Sequence, residues 1–402
     1  QVSAETGKSG VAAGLTWANN KLKNTTGAYA KGLTLSGISN GETSLDVTGT
    51  NNSSAWAVAA GASVSLGNGA VEGAGAINEG TNNTEAIVDM SDSKKKTTIT
   101  DAKSIQVKAT DKASAKAIAG TVAVAVSEGD KPSATIGGAL SYNNIGNSAT
   151  DKQHVTAKLN NATITTAEEV DIQVVADNET HFLNLALGGA VRTGSSSGGA
   201  AQGSVAITTL YTDTLASMEG TNIDTEENDK KNAKVSVNAN SESHITNSAD
   251  GIAASVSTGE GISLAGSGAV STIKSDADTK ANITGGELRL KNLITQAKSD
   301  NRTTNISMGL SAAIGTAGGS GALAGNVATN TIANDTNVSI TGTKVVADGT
   351  VAALANSNEQ IANYGGAVSV GATAGNAGVA LGATIVTNTI TGNTTSNVSK
   401  SS

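Results

Sequence analysis

Three histidines, two adjacent carboxylate pairs and one serine run are the residues of this chain whose types could carry chemistry. His181 and His244 end two matching phrases, Glu179-Thr180-His181 and Glu242-Ser243-His244, while His154 stands apart. Imidazoles share a zinc ion only where the fold brings them to bonds of about 2 Å. If the residues between His181 and His244 wind into two or three coils, the rings lie about 10–15 Å apart at the ~4.8 Å spacing of neighbouring strands. The expectation is a surface ladder of histidines with no metal.

Glu168-Glu169 and Glu226-Glu227 are the carboxylate pairs. Glycoside hydrolysis needs two carboxyls roughly 5–9 Å apart across a sugar, normally beside aromatic platforms. Trp17, Trp56, Tyr29, Tyr142, Tyr211, Tyr364 and Phe182 are instead scattered along the sequence. Ser195-Ser196-Ser197 lies among glycines without the strand–elbow–helix context that exposes a nucleophile, and reads as a flexible loop. The glycine-rich stretches supply neither a phosphate-binding loop with its Lys-Ser/Thr nor a dinucleotide fingerprint, and calcium-binding nonapeptides are absent. With no cysteine, disulfide and zinc–thiolate chemistry are excluded. No residue is expected to be catalytic, to ligate a metal or to hold a cofactor.

The elements that must carry these residues show in a repeated phrase. A small polar run leads into a threonine, with an apolar β-former shortly after, at Thr26, Thr84, Thr150, Thr214, Thr279, Thr336 and Thr395. Subtracting successive positions gives spacings of 58, 66, 64, 65, 57 and 59 residues. Self-similarity at such a period marks a repeat array, which offers a long surface rather than a single cleft. The modules divide approximately as 1–55, 56–115, 116–181, 182–244, 245–304, 305–360 and 361–402. Within them residues alternate as in strands with one buried face, for example Ser104-Ile105-Gln106-Val107-Lys108-Ala109 and Val170-Asp171-Ile172-Gln173-Val174-Val175. Asn, Asp, Gly and Ser clusters between them make tight turns. The fold class expected is all-β, a right-handed parallel β-helix (β-solenoid) of about seven modules of roughly 60 residues, each making two or three coils. A row of β-sandwiches is the competing layout, and it would need larger inward residues.

Composition agrees. The chain of 402 residues has 48 Gly, 1 Pro and only 2% aromatics, so any core is thin and built from small side chains. A net charge of −8 gives no general pull towards nucleic acid or an anionic membrane. Residues 361–399 carry no charge, but their alternation of Val with Ser, Thr and Gly reads as a buried strand pair rather than a membrane helix. Three insertions vary the modules: Glu128-Gly129-Asp130-Lys131-Pro132, Gly194 to Gly199, and Asp224 to Lys231. In solenoids such segments map to the outer face. The Lys94-Lys95-Lys96 run reads as a solvated turn. No secretion signal opens the chain, which reads as a piece of something longer.

Two runs carry a family resemblance, Gly325-Asn326-Val327-Ala328-Thr329-Asn330-Thr331-Ile332-Ala333-Asn334-Asp335-Thr336-Asn337-Val338 and Gly382-Ala383-Thr384-Ile385-Val386-Thr387-Asn388-Thr389-Ile390-Thr391-Gly392-Asn393-Thr394-Thr395. Both resemble the repeat region of large type V-secreted bacterial exoproteins, the filamentous-haemagglutinin-like adhesins and leukotoxin-type exoproteins. Tyr211-Thr212-Asp213-Thr214 departs from that pattern by lacking both asparagines. The resemblance implies a β-helical shaft without cofactor, exported by two-partner secretion or as an autotransporter to the extracellular space or outer cell surface. Its implied partners are a host or bacterial cell-surface receptor, protein or glycan, and an outer-membrane translocator during export. Adhesion is the first expectation; a cytotoxin repeat region and a self-associating filament are the alternatives, and a carbohydrate-active enzyme stands behind them.

Overall fold

The structure, a computed structural model, describes residues 2–5, 10–36, 43–89, 98–165, 169–224 and 232–401. Among them every regular element is a β-strand and every pairing between strands is parallel. The strands form three sheets. The front sheet stacks Val2–Glu5, Ser44–Ser65, Ser104–Ser127, Val170–Gly194, Ala233–Ser257, Asn292–Gly315 and Val351–Thr373. The back sheet stacks Val11–Lys31, Gly69–Asp89, Ser133–Ile145 with Gln153–Asn160, Gly198–Glu219, Ser263–Thr284, Ser320–Ala333 with Asp335–Thr341, and Gly378–Thr391 with Thr394–Ser399. A short sheet closes one side, from Leu35–Ser36 to Lys344–Ala347. The chain visits front, back and short sheets in turn and then begins again one rung higher. This is a parallel β-helix.

One module makes one coil. Each turn through the sheets consumes a whole repeat because the front strands run to 24 and 25 residues, about 80 Å at 3.3 Å per residue. The expected two or three coils per module are therefore corrected. Seven coils at ~4.8 Å stand only about 29 Å tall, so the chain is a broad slab whose long dimension crosses the helix axis.

Register corrects two copies of the repeated phrase. Thr26, Thr84, Val155, Thr214, Thr279, Thr336 and Thr394 form one inward column of the back sheet. Thr150 lies instead in a loop, residues 146–152, inserted between Ile145 (opposite Leu210) and Gln153 (opposite Thr212). Thr395 sits one residue beyond the column, opposite Asn337. Both misplacements are local: a polar loop imitates the phrase in one case, and in the other Thr394 and Thr395 stand side by side.

Side-chain size follows the number of enclosing sheets. Where all three meet, the interior is triangular and holds bulky aliphatics such as Ile105, Ile172 and Leu293 from the front, Leu159 and Ile283 from the back, and Ile99 and Ile164 from the short sheet. Beyond that zone only two sheets face each other and, past one cluster of Ile145, Phe182, Leu210, Ile245 and Ile273, the interior turns mostly to Ala, Gly, Ser, Thr and Asn. A Cβ on Gly251 of the front sheet would lie 3.1 Å from the Gly268 carbonyl of the back sheet, so the glycine lets the two backbones close together. In-register asparagines staple this thin zone. Asn184 donates to the Ile207 carbonyl at 2.6 Å, Asn247 to the Thr272 carbonyl at 2.8 Å, and Asn305 to the Thr329 carbonyl at 3.2 Å. The corner into the short sheet needs a left-handed residue, met by Gly32, Asn161, Gly220, Gly285 and Gly342 at φ of 60, 54, 58, 66 and 63°.

Residues 361–399 form a strand pair with its turn at Gly375-Asn376, as expected, but they are largely exposed rather than buried. They belong to the last coil of the stack, which has a neighbouring coil on one side only.

Candidate functional site

Pleating turns alternate residues of each strand outward, and parallel register stacks them into columns one rung apart. The surface available for function is thus a grid. It divides into two zones. Nearest the short sheet the outward columns are polar and charged; towards the opposite edge they are mostly apolar on both faces, with Asp250 a charged exception on the front sheet.

The histidines lie in the polar zone of the front sheet. His181 pairs directly with His244 on the next coil, and their rings stack with centroids 5.1 Å apart and planes 8° from parallel. The expected separation of two or three coils is corrected for the same reason as the coil count: a module is a single rung. Each ring contacts the glutamate two residues earlier, His181 with Glu179 at 2.9 Å and His244 with Glu242 at 2.8 Å. Lys112 joins Glu179 at 2.8 Å and Arg302 joins Asp300 at 3.3 Å, giving one charged stripe over four coils. Lys112 first by its hydrogen bond, then His181, hold the Glu179 carboxyl below the ordinary range. Among the described residues no group of three or more His, Asp or Glu is arranged to hold a metal. Because these rings stack in water, replacing both His181 and His244 by alanine is expected to lower stability by less than about 1 kcal/mol, measured by urea denaturation; a larger loss would mean the stripe supports the sheet.

His154 lies on the back sheet in a second charged network. Its ring faces Asp213 at 3.5 Å; Lys280 reaches Asp213 at 3.4 Å and Asp278 at 2.9 Å; Lys152 reaches Asp276 at 2.6 Å and Asp278 at 3.2 Å. The hydrogen bond to Asp213 raises the His154 ring above its ordinary range against the opposing effect of burial. Burial alone would push Asp213 up, but His154 and Lys280 hold it below the usual carboxylate range. Lys152 comes from the inserted loop that imitated the repeat phrase, so the loop is tied two coils along the stack.

The remaining sequence candidates do not converge. Glu169 pairs with Lys234; Glu168, Glu226, Glu227, the Lys94–Lys96 run and most of the 224–231 insertion lie outside the described residues. Ser195–Ser197 is pinned rather than flexible, because stacked turns share their hydrogen bonds. Ser195 donates to the Gly129 carbonyl at 2.8 Å, Ser196 bonds the Lys131 carbonyl, and Ser197 accepts from the Ile262 amide at 3.0 Å. The Glu128–Pro132 insertion is therefore the turn beneath the serines.

Sequence reasoning missed the buried ionic groups, since inward and outward positions alternate and only register assigns them. Asp111 is fully buried, accepts from Asn51 at 3.3 Å and Thr84 at 3.2 Å, and burial pushes its carboxyl up to about 6. Glu359, hydrogen-bonded to Asn334 at 3.1 Å, is likewise raised by burial. Arg192 is buried at the opposite edge, donating to Ser133 at 2.8 Å and to the Val256 carbonyl at 3.1 Å. These partners are all neutral, and through them each ionic group cross-links the sheets.

The aromatic residues are also ordered. Phe182 points inward, while Trp17, Trp56, Tyr142 and Tyr364 point outward where the polar zone gives way to the apolar one. Lys116 lies over the Trp56 ring at 4.4 Å. Fold and surface together define a parallel β-helical repeat protein with a gridded outer face. No protein-family model, no curated protein and no solved structure matches the chain.

Proposed function

We propose that this chain is a non-enzymatic shaft segment of a bacterial exoprotein, displayed outside the cell, which adheres to a host or bacterial cell-surface receptor. The observation that carries this reading is the polar stripe of the front sheet, in which Lys112, Glu179, Glu242 and Asp300 recur one coil apart in register. A receptor presenting repeated glycans or charged groups would meet many weak sites at a fixed spacing, and linked weak contacts multiply. The family resemblance in the sequence supports the extracellular setting.

Immobilised chain should retain epithelial or bacterial cells. The combined variant Glu179→Ala, Glu242→Ala, Arg302→Ala should reduce retention by about tenfold or more while circular dichroism stays unchanged. Retention by neither cell type, or retention untouched by the variant, would count against the stripe as the adhesive face.

A further inference from the structure

The back sheet's apolar zone is a surface for which a rigid shaft has no evident use. Its outward columns near the edge hold no charged side chain: Val71, Ile136 and Leu323 form one ridge, interrupted by Ala201 and Gly266, and Leu140, Val205, Val270 and Val327 form another, continuous one. Ile136, Leu264 and Leu323 are each more than half exposed. The apolar residues of the interior behind them are alanines, set among small polar residues with Glu72, Arg192 and Gln202, so the larger apolar side chains of this zone face outward.

Between the two ridges runs a column of Gly73, Gly138, Gly203, Gly268 and Gly325. Glycine in mid-strand weakens a sheet and marks close approach by another group. A Cβ on Gly73 would lie 3.0 Å from Leu15 Cδ1, but at the other four positions nothing inside this chain requires glycine. A Cβ on Gly138, Gly203 or Gly325 would meet no atom within 4 Å, and one on Gly268 only the Gly325 carbonyl at 3.9 Å. Gly203, Gly268 and Gly325 floor a groove of about 420 Å³ that runs along the helix axis beside Val205, Val270 and Val327.

We propose that this face docks against the same face of a second copy of the chain, each copy seating one aliphatic ridge in the other's glycine groove. Three features select that occupant. The zone spans five outward columns, about 26 Å along the strands, and seven rungs, about 29 Å along the axis. That is about 750 Å² on each partner, close to the roughly 800 Å² of a standard stable interface. A second copy also repeats every ~4.8 Å by construction, so its ridge meets the groove in step over the four coils that carry Leu140, Val205, Val270 and Val327 beside Gly138, Gly203, Gly268 and Gly325. And a twofold axis parallel to the helix axis, passing between groove and ridge, interchanges the two elements, as a self-complementary interface demands. A bilayer offers no ridge and gains nothing from bare glycine. The front sheet's apolar zone is the poorer candidate, since Asp250 lies within it and its glycines, Gly120 and Gly189, fall in different columns.

Sedimentation velocity across a wide concentration series tests this with the full chain. Wild type should form a closed dimer. Gly203→Val with Gly268→Val should weaken dimerisation about tenfold or more, equivalent to about 1.4 kcal/mol, without lowering the melting temperature. Val270→Lys should do the same by placing a charge in the ridge, and Gly120→Val on the front sheet should leave the dimer intact. A monomer at every concentration overturns the proposal. So does an open-ended polymer insensitive to the groove variants, which would mean that coil ends pair instead. Flotation of monomer with phosphatidylcholine vesicles, lost in Val270→Lys, would overturn it in favour of a bilayer.

Discussion

Replacing Phe182 by alanine is expected to destabilise the protein by about 3–5 kcal/mol. Phe182 is the one phenylalanine of the chain and is only 4% exposed. It sits in the two-sheet zone, where most inward residues are small, and fills the space between Ala113 and Ala115 of its own sheet and Ile145, Leu210 and Ile273 of the facing one. Backbone bonds along the stack hold the sheets in place, so the cavity left by the ring cannot close fully. Phe182→Leu should cost markedly less. Urea denaturation of both variants measures the difference; a loss below about 1 kcal/mol for alanine would show that the sheets collapse onto the gap. The loss should centre on its own coil and the neighbours, because each repeat of a solenoid contacts only those next to it.

Asp111→Asn is expected to act in the opposite direction. The Asp111 carboxyl is raised from its ordinary 3.8 to about 6, mainly by burial, against the hydrogen bonds from Asn51 and Thr84 that favour its charge. A folded-state value above the unfolded one means that the native protein holds the proton more tightly. The resulting stability is fully present below 3.8 and is lost as pH rises through about 6. At neutral pH the loss is on the order of 3 kcal/mol, at 1.36 kcal/mol per unit. Asparagine keeps the shape and suits its column, since Asn51 and Asn178 are the residues directly opposite on the coils to either side. The variant should therefore be the more stable protein at neutral pH and nearly equal to wild type in acid, and the pH slope of wild type between those limits should flatten. Denaturation midpoints of both proteins at the two pH values check this. Equal midpoints at neutral pH would show that the hydrogen bonds to the carboxylate outweigh its burial.

Phe182 and Asp111 stand out very differently in the sequence. Phe182 is conspicuous as a lone aromatic, yet its neighbours Ile145 and Leu210 belong to other strands and only register brings them together. Asp111 is inconspicuous, one of many acids in alternating segments. A single-residue shift of register would have placed it in water, because side chains alternate faces along a strand.

Local pattern alone determined a good deal of this protein. Alternation at Ser104–Ala109 and Val170–Val175, turn residues between segments, and a threonine phrase returning at a near-constant interval sufficed for an all-β, parallel, coiled array with a small-residue core. These are properties of period and composition, which short windows of sequence carry. What only the tertiary structure decided was how much chain makes one coil. Strands of more than 20 residues are far longer than the usual five or six, and nothing in a local window tells one long strand from several short ones. From that single quantity follow the stacking of His181 on His244, the exclusion of Thr150 from the threonine column, the burial of Asp111, and the alignment of five glycines into one outward column. Each depends on which residues lie one rung apart. In a parallel β-helix that distance is set by the circumference of the coil, and the circumference is a property of the closed structure rather than of any segment within it.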